Sequence, residues 1–278
     1  MSTVTPQIVK WGRLSVRAAT SAIFVALTLG AVLAGPPGTA IPSARAAQDS
    51  CPAVEVVFAR GTLEGPGVGA TGQAFVDALT ARLPGKTVEP YGVNYPASLN
   101  FGQAADGIID TANKVQSIAA TCPTTKIVLG GYSQGAAVVG YTTTDSVPAG
   151  YALPAGLSGP MPAAIASHVA AVVLFGTPDP WFLGLVDHDA PPITIGRLYT
   201  AKTLQLCVTG DPVCFPGGLT RSAHSAYKDN GMAGQAADFA AHQLTGTATV
   251  PQPATQVDAT HRVDQPAPSP ESNPLQGN

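Results

Sequence analysis

Between residues 51 and 244 of this 278-residue chain, short apolar runs alternate with stretches of helical periodicity. Val54-Glu55-Val56-Val57-Phe58-Ala59 reads as a buried strand entering a Gly-rich loop. Residues 72–83 put Phe75, Val76 and Leu79 on one helical face and stop at Pro84-Gly85. A second strand is expected at 88–93. A helix follows at 104–122, with Ile108, Ile109, Val115 and Ile118 as its apolar positions. Residues 126–130 form a third strand that feeds a helix at 134–142. Residues 169–175 are apolar throughout, as in a strand buried on both faces. A fifth strand at 203–208 and a closing helix at 233–244 complete the pattern. Alternation of this kind specifies an α/β three-layer sandwich, its central, mostly parallel five-stranded sheet flanked by helices.

Three segments stand outside the alternation. Residues 146–162 carry Pro148, Pro154, Pro160 and Pro162 among Gly150, Gly156 and Gly159, with Tyr151, Leu153, Leu157 and Met161 interspersed. Such an insertion is either a packed surface loop or a lid or wall of a substrate site. At the start, Lys10, Arg13 and Arg17 precede an uncharged apolar stretch at 18–34, and Ala44-Arg45-Ala46 supplies an A-x-A signal. Residues 1–46 therefore read as a secretory leader cleaved after Ala46, with a retained membrane anchor as the alternative. Residues 245–278 are rich in Pro, Thr, Gln, Ser and Asp without apolar periodicity, and read as a disordered tail. The folded unit is then 47–244, one domain.

Charge narrows the function classes. The formal net charge is −3, and loss of the leader removes Lys10, Arg13, Arg17 and Arg45 without removing an acid. An acidic remainder with no basic cluster has no electrostatic footprint for nucleic acid. All four cysteines, Cys51, Cys122, Cys207 and Cys214, follow the leader. Export would permit disulfides. Cys207 and Cys214 flank a turn-like Thr-Gly-Asp-Pro and pair locally, which leaves Cys51 with Cys122. No Cys/His cluster has metal-ligand spacing, so neither a metal nor a cofactor is expected.

The chemistry centres on Gly131-Tyr132-Ser133-Gln134-Gly135, directly behind the third strand. A strand that ends in G-x-S-x-G and turns at once into a helix is the sequence form of a nucleophile elbow, as in α/β-hydrolases. An activated serine needs a base, and the base needs an orienting carboxylate, in the chain order Ser, acid, His. Five histidines follow Ser133, and His261 lies in the tail, which leaves four candidates. His168 precedes a strand and so lies at the wrong edge of a parallel sheet. His188 sits in a polar loop between two aspartates, and His242 lies on the closing helix. His224 follows the last strand on a loop at the edge where ligands bind. For the acid, Asp211 lies inside the Cys207/Cys214 loop, with Asp179, Asp187 and Asp189 as alternatives. The oxyanion hole should draw one N–H from Gln134 and one from the loop after the first strand, where Thr62 is the candidate. In that loop Arg60 and Glu64 are expected to form a local ion pair. Phe215, Leu219 and Trp181-Phe182-Leu183 could line an acyl groove or touch lipid, with at least half of them expected to pack inward.

Taken together, Phe58-Ala59-Arg60-Gly61-Thr62, the elbow, Cys207-x-x-Gly210-Asp211-x-Val213-Cys214, and His224 with Tyr227 resemble the cutinase family, in particular its actinobacterial branch. Thr62 stands where many members carry serine and keeps the hydroxyl. The resemblance implies Ser133 as nucleophile, Asp211 as acid, His224 as base, and Thr62 with Gln134 at the oxyanion hole. It implies the same two disulfides. It also implies a secreted, monomeric esterase acting on acyl esters or lipids, with transient contact to a lipid surface and retention at the cell wall as further expectations. An acyltransferase to a sugar or lipid alcohol, and a catalytically silent surface protein, are the rival readings.

Overall fold

The computed structural model describes residues 51–147, 153, 155–157 and 159–246. The leader, and the tail beyond Gly246, lie outside the described residues. Among those described, no helix is long and apolar enough to cross a membrane.

Five strands form one sheet: β1 (Val54–Ala59), β2 (Val88–Gly92), β3 (Lys126–Tyr132), β4 (Val169–Phe175) and β5 (Thr203–Leu206). Their order is β2-β1-β3-β4-β5, and every pairing is parallel. The helices between them are α1 (Gly69–Arg82), α2 (Ala104–Thr121), α3 (Gln134–Thr142), α4 (Pro180–Val186), α5 (Arg197–Thr200), α6 (Arg221–His224) and α7 (Met232–Thr245). Thr245, read from sequence as the first tail residue, thus ends the closing helix, and Gly246 caps it with a left-handed backbone. Three segments lacking a clear sequence signal also turn helical, namely α4, α5 and α6.

The period-two alternation of the strands builds the two cores. Val54, Val56, Phe58, Val128, Ala171, Val173 and Phe175 face α1 and α7. Val57, Ala59, Ile127, Leu129, Val172 and Leu174 face the opposite way, with Val115 and Ile118 of α2 and Ala136 and Val139 of α3. The sheet is therefore buried on both sides, which explains the continuous apolar runs of β3 and β4. Strand order reverses at β1, because the chain steps to β2 on one side and then to β3 on the other. Ligands bind in the crevice outside the carboxyl ends of strands at such a reversal. The loop after β1 and the turn after β3 meet there.

Candidate active site

Ser133 sits at the turn between β3 and α3 with φ 55° and ψ −118°, a backbone region that costs a non-glycine residue about 1–3 kcal/mol. Its N–H donates to Phe175 O at 2.9 Å, which ties the turn to the neighbouring strand. The flanking glycines are required by close approach. A Cβ on Gly131 would lie 2.3 Å from Gly135 O, and one on Gly135 would lie 2.0 Å from Ala59 O. The sequence G-x-S-x-G thus follows from the tightness of the turn, and the turn raises the serine over the end of the sheet.

His224 ends the four-residue helix α6, where the sequence suggested an open loop. Its Nε2 lies 2.8 Å from Ser133 Oγ, and its Nδ1 lies 2.9 Å from each Asp211 oxygen. The Asp211 side chain is fully buried, whereas that of His224 keeps 22% of its exposure. Asp211 also accepts from Val213 N–H at 2.8 Å and from Tyr227 O–H at 2.5 Å. Burial alone would push its carboxyl up. The hydrogen bonds from His224, Tyr227 and Val213 outweigh that and hold it below the usual carboxylate range. A hydroxyl, imidazole and carboxylate in this series can pass the serine proton to nitrogen while the carboxylate holds the ring.

Tyr227 is the residue that motif reading left without a role. Its hydroxyl, fully buried, gives its proton to Asp211, accepts from Val208 N–H at 3.2 Å and lies 3.3 Å from Cys214 Sγ. Burial, and then the bond to Asp211, push its pKa upward, so it stays a donor. Tyr132 works beside it. Its hydroxyl donates to His224 O at 2.6 Å, and its ring lies 5.1 Å from the imidazole. The Cys207–Cys214 disulfide closes the loop that carries Asp211, and Cys51–Cys122 joins the start of β1 to the end of α2. Both pairings match expectation.

The other candidates fall elsewhere. His168 precedes β4 at the opposite edge, and His188 is solvated beside Asp189. His242 lies on α7. Asp179 caps α4, accepting from Phe182 N–H at 2.7 Å. Pro180 at the first helical position completes the start of α4.

Thr62 and Gln134 both line the cavity beside Ser133 and His224. Gln134 opens α3, so its N–H has no partner within the helix. The loop bearing Thr62 is held differently from expectation. Arg60 and Glu64 do not pair with each other. The buried Arg60 guanidinium donates to the carbonyls of Glu64, Val93 and Tyr95, while the Glu64 carboxylate accepts from Gly61 and Ala70 N–H groups. Each charge satisfies main-chain groups that the tight loop would otherwise leave buried and unpaired.

The cavity measures about 450 Å³. Val147, Leu153, Leu157 and Met161 of the 146–162 insertion line it, which favours the wall reading of that segment over a plain surface loop. Phe182 and Leu183 line it as well, but Trp181, Phe215 and Leu219 are exposed. Three of the five thus face solvent, more than expected: Trp181 because α4 presents only one side to the protein, Phe215 and Leu219 because they lie in the loop before α6.

A family model described as Cutinase matches residues 50–244. The chain belongs to the cutinase family. Like that family, it is a carboxylic ester hydrolase with the α/β-hydrolase fold. A probable carboxylesterase of Mycobacterium tuberculosis, Culp5, is 50% identical over 170 residues, covering 61% of this chain and 95% of its own. The phospholipase Culp4 of the same organism is 40% identical over 239 residues, or 86% and 97% of the two chains. Among solved structures, the Trichoderma reesei cutinase in complex with a C11Y4 phosphonate inhibitor is 34% identical with a TM-score of 0.53, covering 71% of this chain and 78% of that one.

Proposed function

We propose that this cutinase-family hydrolase is an exported serine esterase that cleaves acyl esters of lipids through an acyl-enzyme. The observation that carries the reading is the unbroken series from Ser133 Oγ through His224 to Asp211, with contacts of 2.8 and 2.9 Å. His224 Nε2 takes the Ser133 proton as Oγ attacks the ester carbonyl carbon. The N–H groups of Thr62 and Gln134 hold the oxyanion. Collapse of the tetrahedral intermediate breaks the bond to the leaving oxygen, which receives its proton from His224. Water then enters, gives a proton to His224 and releases the acid by the reverse steps. Asp211 keeps Nδ1 protonated throughout. Lipid esters are favoured by the apolar cavity, by the exposed apolar side chains of Trp181 and Leu219, and by the likeness to a phospholipase. Export is favoured by the A-x-A leader together with two disulfides and no free cysteine among the described residues. Ser133→Ala should lower kcat on p-nitrophenyl esters by about a million-fold. It should also abolish labelling by a fluorophosphonate probe, and equal turnover by both proteins would remove Ser133 from the mechanism.

A further inference from the structure

The cavity beside Ser133 has a direction. Its wall on α2 includes Ala105 and the row Ala104, Ile108 and Ala112, at positions i, i+4 and i+8 of one helical face. Its wall on α3 consists of Gln134, Ala137 and Tyr141, ending at Thr142. In an all-parallel sheet, the helices that follow β2 and precede β4 both run back from the carboxyl edge, so α2 and α3 are parallel to each other. Both start at the level of the nucleophile. From Ala104 to Ala112, and equally from Gln134 to Thr142, a helix descends about 12 Å. The space between is therefore a channel leading from Ser133 down to Ala112 and Thr142, with Thr144 and Val147 beyond and Leu157 and Met161 also lining it. Ala112 and Thr142 are each only 4% exposed, so they form a buried floor on the side of the two helices. The walls are mostly apolar, and among the described residues their only carboxylate is Asp187.

We propose that this α2–α3 channel holds the acyl chain of the substrate, and that Ala112 with Thr142 sets the upper limit of chain length. The proposal rests on the acyl-enzyme reading above. An extended chain advances ~1.2 Å per bond, the same geometry that gives polypeptide ~3.6 Å per three bonds. A channel of about 12 Å thus accepts roughly ten carbons. A two-carbon acyl group would leave nearly all of the apolar wall without a partner. Small side chains at Ala104, Ala112 and Ala137 keep the bore open, and larger ones there would fill it.

The experiment is a series of p-nitrophenyl esters from acetate to palmitate, each below its aggregation concentration so that surface effects do not enter. With the purified protein, kcat/KM should climb by roughly fourfold per added methylene from butyrate to about decanoate, then flatten or fall. Ala112→Phe, filling the floor, should lower the decanoate-to-butyrate ratio by at least about tenfold. Ala112→Leu makes the same test with a smaller side chain if phenylalanine prevents folding. Ile108→Ala, widening the wall, should move the optimum toward longer chains. A flat or acetate-favouring profile in protein that still reacts with the fluorophosphonate would overturn the channel and leave the esterase reading standing. So would an unchanged ratio in the folded Ala112 variants. Protein that neither reacts with the probe nor cleaves any ester would overturn both.

Discussion

The two disulfides stand at opposite edges of the same sheet and differ in what they constrain. Cys51–Cys122 links residues 71 apart and lies where β1 begins and α2 ends, remote from Ser133. Cys207–Cys214 links residues only seven apart and encloses Asp211. In the chain-entropy picture the long loop stabilises the fold by about 4 kcal/mol and the short one by about 2–3 kcal/mol. Position reverses that ranking for chemistry. The long link holds the fold together without touching any group near the serine. The short one fixes the seat of a buried carboxylate whose orientation must be right to a fraction of an ångström. Covalent closure thus serves stability at one edge and geometry at the other.

The sharpest way to break this contrast is at the carboxylate itself. Asp211→Asn should leave the fold and both disulfides in place and lower kcat by about 10⁴, because the amide selects the wrong imidazole tautomer. Circular dichroism and titration of free thiols check the first part, ester turnover the second. Next in size is the crossing of ranks between the links. Replacing Cys51 and Cys122 by serine should lower unfolding free energy by about 4 kcal/mol. Its kcat at room temperature should stay within about twofold of wild type. Replacing Cys207 and Cys214 should cost only about 2–3 kcal/mol of stability. It should nevertheless lower kcat by up to about 100-fold. Denaturant titration beside kinetics on both double variants decides it, and parallel losses would erase the distinction.

The smallest expected effect sharpens how the seat is built. Tyr227→Phe removes one donor to Asp211 and orphans Val208 N–H, so kcat should fall by about tenfold at neutral pH. The sign of its pH dependence follows from the lowered carboxyl pKa. A carboxyl held down in the folded state supports it fully above the unfolded value of about 4 and loses that support as pH falls through the lower native value. Without the tyrosine donor the native value rises, so acid inactivation should begin at higher pH in the variant. A pH profile of kcat/KM and of the unfolding midpoint tests this. A loss of rate with both profiles unmoved would make Tyr227 a packing residue only.

Much of this was legible because the signals are local. The five strands and four long helices are found within a few residues of their sequence positions, since each carries its own periodicity and breakers. Gly131 and Gly135 announced the elbow because only glycine fits where backbone meets backbone. Ser133, Asp211, His224, Thr62 and Gln134 come together at one edge because a parallel sheet delivers every strand's carboxyl end to the same place. What escaped the sequence depends on partners distant along the chain. Arg60 and Glu64 looked like an ion pair, yet the carbonyls of Val93 and Tyr95 take the guanidinium, and no local pattern encodes that. Ile108 carried the periodicity of a core residue, but the side of α2 that it occupies borders a cavity. Tyr227 looked like one more aromatic near a histidine, and only the fold brings its hydroxyl to Asp211.

Asp211 follows β5, one of the two edge strands, four residues long and paired on one side only. Edge strands of this kind open at free energies well below that of the whole domain. Heating or denaturant should therefore release the carboxylate while β1, β3 and β4 are still intact, giving a compact, native-looking protein that turns over nothing. Catalytic half-life, rather than the melting temperature, would then be the property that responds when residues 203–206 are strengthened.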